Sequence, residues 1–376
     1  MDRDHDVPIL LTPGPLTTSA QVRGAMRRDW GSRDADFVAL TAGVRERLVS
    51  LVGGKGTHVC VPVQGSGTFA IEATIGTLVP RDGKALVLVN GAYGRRMVHI
   101  LERIGRAVAA LEAPEEAPHP VAGLDAVLAG DDTISHVLAV HCETTSGILN
   151  RIDEIAAAVA ARGRGLIIDA MSSFGGIPIS ARDTPFDALV AASGKCLEGV
   201  PGLGFALLRR EALEASEGNA HSLSLDLYEQ WNSMERDGQW RFTPPTHVVA
   251  ALSAALDALE AEGGVEKRLA RYQENCRVLV EGMREMGFET VLADEVQAPI
   301  LVTFHVPADP RFRFDSFYAA MRSRGFLIYP GKLTQAESFR IGCIGNLDEA
   351  VIRKALAAVH ETIAEMGLES CGRRAA

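Results

Sequence analysis

Gly165-Leu166-Ile167-Ile168-Asp169 and, past a connection rich in serine, glycine and proline, Ala188-Leu189-Val190-Ala191-Ala192-Ser193-Gly194-Lys195 decide how this chain reads. Leu166 to Ile168 is a continuous apolar run closing on an acid, the pattern of a strand buried on both faces with Asp169 at its carboxyl end. A second such run, Ala188 to Ala192, hands Ser193, Gly194 and Lys195 to a turn. Open α/β sheets bind ligands in the crevice beyond the carboxyl ends of their strands, so both residues are expected to face one crevice. A lysine beside a small residue suits an amine that bonds to a carbonyl, and an acid suits a ring nitrogen that must stay protonated. Together they suggest pyridoxal 5′-phosphate, held at Lys195 as a Schiff base with Asp169 on the pyridine nitrogen. The plainer readings of the two positions are a helix-capping aspartate and a solvated lysine.

Outward from that stretch, composition bounds the rest. A chain of 376 residues exceeds one typical domain, which predicts a large domain with a smaller one attached. Hydrophobic residues make up 47 %, enough for a full core. The formal net charge of −10 argues against a nucleic-acid or anionic-membrane partner, since either needs a basic face to displace counterions. Cysteines at 60, 142, 196, 276, 343 and 371 show neither CxxC spacing nor a pairing pattern, so reduced thiols in a cytoplasm are expected and no metal site is indicated. The opening MDRDHDVPILLTPGP has acids where a secretory leader carries bases, and no apolar stretch approaches the roughly 20 residues that cross a bilayer.

Along the chain, Pro13-Gly14-Pro15 rules out a helix and reads as an arm laid across a surface. Gln64-Gly65-Ser66-Gly67-Thr68 precedes the helical run Phe69 to Ile75. Glycines before a helix let backbone amides point at an anion, and Ser66 and Thr68 add hydroxyls, which makes this a candidate phosphate cup or, more plainly, a capped helix. It lacks the lysine and spacing of a P-loop and the GxGxxG of a dinucleotide site. Strand-like Leu86 to Val89 leads to Tyr93, an aromatic ring at the sheet edge that could stack on a planar cofactor or simply pack. Strand-like Ile134 to His141 runs into Thr144 and Thr145, whose hydroxyls could reach a ring oxygen or cap a helix. Thr243, in the constrained loop Thr243-Pro244-Pro245, is a contact candidate ahead of a helix from Val248. Strands and helices alternating from about Leu86 to Leu208 predict a mostly parallel sheet covered on both faces. Beyond a long helix over 265–287 come strand-like 300–304, helical 314–324, strand-like 326–329 and 339–343, and a last helix over 348–366, an α+β unit. Arg340 stands mid-strand between Phe339 and Ile341, where a charge needs a partner: a bound acid group or a structural ion pair. The expected division is an arm over 1–20, a large α/β domain over 21–260 and a small C-terminal domain over 261–370.

The segments LLTPGPLTTS (10–19), QGSGTFAIEA (64–73), NGAYGRRMV (90–98), HCETTSGILN (141–150), IDAMSSFGGIP (168–178), SGKCLEGVPG (193–202), HSLSLDLYEQW (221–231), WRFTPPTH (240–247) and FLIYPGKLTQAESFRIGCIG (326–345) carry one resemblance, in this order, along nearly the whole chain. The chain resembles the class V branch of fold-type I pyridoxal-phosphate enzymes, most closely those that move an amino group from 2-aminoethylphosphonate to pyruvate. The resemblance implies a Schiff base at Lys195, a pyridinium contact at Asp169, and a phosphate cup from Ser66, Gly67 and Thr68. It further implies Tyr93 over the ring, hydroxyl contacts from Thr144 or Thr145, and Thr243 reaching the cofactor of the partner subunit in a homodimer with shared sites. Arg340 would hold the substrate's acid group, with the Gly14 region or Arg33 as further donors to a phosphonate. Members often carry asparagine before the lysine, where this chain has Gly194. The rival readings are another class V transaminase such as an alanine:glyoxylate type, a lyase, a desulfurase using Cys196, and a non-catalytic ligand-binding α/β protein.

Overall fold

The structure is a computed structural model and describes residues 7–373; residues 1–6, the start of the expected arm, lie outside the described residues. Seven strands form the main sheet, in spatial order His58–Gln64, Leu203–Arg209, Ala188–Ala192, Gly165–Asp169, Ile134–Val140, Lys84–Val89 and Ala107–Glu112. Leu203–Arg209 runs antiparallel to both neighbours, and the other pairs are parallel. Continuous apolar runs form these strands because successive side chains enter opposite cores. Leu166, Ile168 and Leu189 pack with Phe37, Leu48 and Leu252 on one face. Ile167 and Val190 pack with Ile71, Leu101 and Trp231 on the other. Each such aliphatic side chain contributes about 1.5–3 kcal/mol by leaving water.

The sequence reading anticipated neither edge strand. His58–Gln64 contains Pro62, which an edge position tolerates because the missing N–H can face away from the sheet. Ala107–Glu112 is half-exposed and lacks the strong apolar pattern of the interior strands.

A second, antiparallel sheet of Leu301–His305, Ser338–Gly342 and Tyr329–Pro330 packs with the helices Val265–Glu285, Phe314–Ser323 and Glu349–Glu365 around Phe288, Phe317, Phe339 and Ile352. The apolar run 326–329 is not one strand. Phe326–Leu327 pairs in parallel with Ile9–Leu10, whereas Tyr329–Pro330 joins the three-stranded sheet. The arm is therefore stitched into this second unit rather than lying free across a surface, with Leu11 fully buried in its core. Between the two sheets, Leu16, Cys142, Cys196, Tyr272 and Ile344 form a small apolar seam. Cys196 belongs to this seam, so the turn holding Lys195 lies where the two units meet.

Candidate active site

Asp169 ends its strand beside Met171, whose amide donates 2.9 Å to Oδ1; the second carboxylate oxygen has no hydrogen-bond partner among the described residues. Asp169 is buried, and the loss of water raises its pKa from the ordinary 3.8 to about 6. Lys195 follows the neighbouring strand in a turn closed by Glu198 N–H to Lys195 O at 2.7 Å. Its Nζ donates to the Pro13 carbonyl at 2.6 Å, and burial lowers its basicity. A Cβ on Gly14 would lie 2.6 Å from Lys195 Cδ, and Gly14 sits at φ +113°, so only glycine lets the arm pass this close to the lysine. The turn itself is pinned from behind. Glu198, at φ +61°, accepts from Tyr272 Oη (2.7 Å) and Arg271 (2.8 Å), while Arg268 donates 3.0 Å to the Cys196 carbonyl. Gly194 has its own steric reason: a Cβ there would meet the Pro201 backbone nitrogen at 3.0 Å.

Ser66 precedes the helix Gly67–Leu78 with its hydroxyl making no capping bond, so the first amides of that helix keep their donor capacity. Gly67 touches Met171, where a Cβ would collide with the thioether, and this brings the cup up to Asp169. Thr68 Oγ1 accepts 3.0 Å from Arg96, a cation that the sequence reading did not single out. The Arg96 guanidinium also lies 4.7 Å from the centre of the Tyr93 ring. An arginine three residues after Tyr93 on the same helix was the available signal.

Glu143 is completely buried and organises the opposite wall. One oxygen accepts from the Tyr93 (3.0 Å) and Gly94 (3.3 Å) amides, the other from the Thr145 amide (3.1 Å) and hydroxyl (2.6 Å). Burial raises its carboxyl despite these four donors. It thereby caps the helix Ala92–Arg103 from a distant strand, and Gly91 leaves the room it needs. Thr145 is consumed by this cap, with its Oγ1 also accepting from Ala92 N–H at 2.9 Å, whereas Thr144 lies beside the Tyr93 hydroxyl. Burial pushes the Tyr93 phenol up, but Thr144 and the cations Lys195, Lys332 and Arg96 outweigh it and leave the group more acidic than usual.

Arg340 is buried within its strand, donating to Pro330 O (3.0 Å) and Thr144 O (2.8 Å). Among the described residues no carboxylate lies within ion-pair distance of it, and burial lowers its basicity. Lys195, Asp169, Ser66, Gly67, Thr68, Tyr93, Thr144, Arg340 and Gly14 thus gather around one crevice. Arg33 and Thr243 do not join them within one chain. Both are exposed, and Arg33 borders a groove with Arg241 and Phe242, next to Thr243. Cys196 is a poor nucleophile: it is fully buried, its Sγ donates to the Ser172 carbonyl, and its thiol is pushed up to about 12 by burial. Among the described residues no group of three histidine, cysteine or acidic side chains is placed to hold a metal ion.

Residues 17–310 match the family model described as Aminotransferase class-V. The 2-aminoethylphosphonate–pyruvate transaminase of Pseudomonas aeruginosa is 59 % identical over 366 residues, 97 % of this chain and 99 % of that protein. The protein of the same name from Cupriavidus taiwanensis is 56 % identical over 375 residues, 100 % of this chain and 99 % of that one. Among solved structures, the pyridoxamine–pyruvate aminotransferase of Mesorhizobium loti superposes with a TM-score of 0.89 at 26 % identity, over 98 % of this chain and 95 % of that one.

Proposed function

The chain belongs to the class V aminotransferases, and from that premise we propose that it passes the amino group of 2-aminoethylphosphonate to pyruvate, giving phosphonoacetaldehyde and L-alanine in phosphonate breakdown. The observation that carries the reading is Arg340: a buried guanidinium in mid-strand with two carbonyl partners and, among the described residues, no carboxylate within ion-pair distance, near the lysine that would bear the chemistry. A cation so placed lacks a direct ion-pair partner until an acid group arrives. Both substrates present one in turn.

Pyridoxal 5′-phosphate supplies the electron sink that no side chain here offers. The donor set suits it: a lysine of lowered basicity, a buried acid with one open oxygen, and uncapped helix amides beside Ser66, Thr68 and Arg96. In this reading Lys195 holds the cofactor's carbonyl carbon and Asp169 its ring nitrogen. Ser66, Gly67, Thr68 and Arg96 would hold the phosphate, Tyr93 would cover the ring, and Thr144 would line its edge, with Thr145 behind it in the Glu143 cap. Gly14 would border the substrate within the chain, while Thr243 and Arg33 would serve only the site of the partner subunit, Thr243 at the cofactor phosphate and Arg33 at the substrate. Lys195, displaced from the cofactor's carbonyl carbon by the donor's amine and uncharged more easily than a solvated lysine, would take up on Nζ the proton from the carbon that bears the amine and return it to the former carbonyl carbon. Asp169 holds its charge opposite, where a cationic ring nitrogen offsets the cost of burying it.

A homodimer with shared sites is supported by exposed Phe69, Leu223 and Phe242, which lie around the cup and the Thr243 loop. Six free, buried cysteines suit a reducing cytoplasm. No helix among the described residues is long and apolar enough to cross a membrane. The test is a donor panel assayed for L-alanine formation from pyruvate. 2-Aminoethylphosphonate should exceed serine, aspartate and glutamate in kcat/KM by at least about tenfold, and Lys195→Ala should abolish turnover. A clear preference for one of the amino acids, or for glyoxylate as acceptor, would overturn the substrate assignment.

A further inference from the structure

A phosphonate head, like a phosphate, carries up to two negative charges and three acceptor oxygens, whereas the carboxylate of pyruvate or alanine carries one charge. Arg340 is a single cation, so a site for the first group needs a second positive charge that the other half of the reaction does not require. Three cations compete for that place. Arg33 is exposed on the groove shared with Arg241 and Phe242. Arg96 is engaged by Thr68 and stacked against Tyr93. Lys332 has its Nζ 5.5 Å from the centre of the Tyr93 ring, and among the described residues no carboxylate lies within ion-pair distance of it.

Its segment is held, not adrift. Pro330, two residues earlier, offers the carbonyl to which Arg340 Nε donates, so the arginine and the lysine are fixed to one short piece of backbone. Gly331 N–H donates 2.8 Å to Ser338 O, and a Cβ at 331 would collide with Ser338, so glycine is what allows the approach. Farther on, the Thr334 amide donates 3.0 Å to Glu115, tying the same loop to the unit that holds Asp169. The Pro330–Thr334 stretch is therefore anchored at both ends, to Arg340 and Ser338 at one and to Glu115 at the other. Arg96 and Lys332 thus lie 4.7 and 5.5 Å from the centre of the Tyr93 ring, Arg340 donates to the carbonyl of Thr144 beside the Tyr93 hydroxyl, and Lys195 is near enough for its charge to act on that hydroxyl.

Resting on the reading that the donor is a phosphonate, we propose that Lys332 is the second cation of the acid-group site and makes it prefer a phosphonate to a carboxylate of equal length. Two measurements on the holoenzyme test this separately. The first is calorimetric binding of ethylphosphonate and of propionate, neither of which can react. Lys332→Ala should lower the ethylphosphonate-to-propionate affinity ratio at least about tenfold, as for loss of a partly screened charge pair, while Lys332→Arg should keep most of it. The second is the single-turnover rate, read from cofactor absorbance, with 2-aminoethylphosphonate and with L-alanine. Their efficiency ratio should fall at least about tenfold in Lys332→Ala. Equal losses for both ligands, or no change in either ratio, would overturn the role, the former marking Lys332 as support for the loop. Wild-type enzyme that ignores 2-aminoethylphosphonate would sink the donor assignment, while a wild-type preference for ethylphosphonate abolished by Lys332→Ala would still uphold the second cation. Absence of that preference in wild type would reject it.

Discussion

Asp169 and Lys195 are displaced in opposite directions for one physical reason: both are removed from water, which disfavours whichever form is charged. For Asp169 the consequence for stability can be signed. Without the cofactor, the folded chain holds the proton up to about pH 6, while the unfolded chain releases it near the ordinary 3.8. The group therefore favours folding below about pH 4, and that contribution, up to about 3 kcal/mol, is lost as pH rises through 6. Asp169→Asn removes the titration, so the apoprotein variant should gain on wild type by up to about 3 kcal/mol between pH 4 and 7.5 in urea unfolding. Adding cofactor at pH 7.5 should stabilise wild type more than the variant. Parallel stability profiles for the two apoproteins would remove Asp169 from this role. At this scale the sequence was legible where a residue type was unusual for its position: an acid closing an apolar run, a lysine in the turn after another, an arginine inside a strand. Arg96, Glu143 and Lys332 carried no such mark, being an arginine on a helix, an acid before threonines and a lysine in a loop.

The helix Ala92–Arg103 begins without a cap of its own, since its preceding residue is Gly91, and a carboxylate from Cys142–Glu143 serves instead. Glu143→Ala strands two helix amides and the Thr145 pair in a buried place, so it should cost more than about 3 kcal/mol in denaturant unfolding. Glu143→Gln keeps an oxygen acceptor for one side of the cap and should cost less, about 1–2 kcal/mol. Equal effects of the two substitutions would mean that packing, not the accepting oxygens, sets the helix start. Continuous apolar runs identified the interior strands correctly because both faces of each are covered. The run 326–329 misled for a related reason: its apolar residues serve two different sheets, and no local period records a change of partner.

The lysine turn is fastened to the helix Val265–Glu285 through Glu198, Arg268, Arg271 and Tyr272, so the main sheet and the second unit meet behind Lys195. On the opposite side, Phe69 (51 % exposed) and Phe242 (43 %) leave apolar rings in water beside the cup. Wild type should sediment at twice the chain mass. Phe69→Asp with Phe242→Asp should yield monomers that hold the cofactor at least about tenfold more weakly, because Thr243 would no longer reach across. A dimeric double variant, or a monomeric one with undiminished cofactor affinity, would reject the shared site. The sequence by itself determined the buried strands and placed Asp169 and Lys195 at their ends, because hydrophobic period and chain direction are local properties. Only the tertiary structure decided that Glu143 caps a helix begun 51 positions earlier, that the arm pairs with Phe326–Leu327, and that Arg340 from the second sheet and Lys332 from the loop joining two of its strands approach Tyr93. Those contacts join residues far apart along the chain, and their energy comes from burial and hydrogen bonding that exist only once the two units have packed.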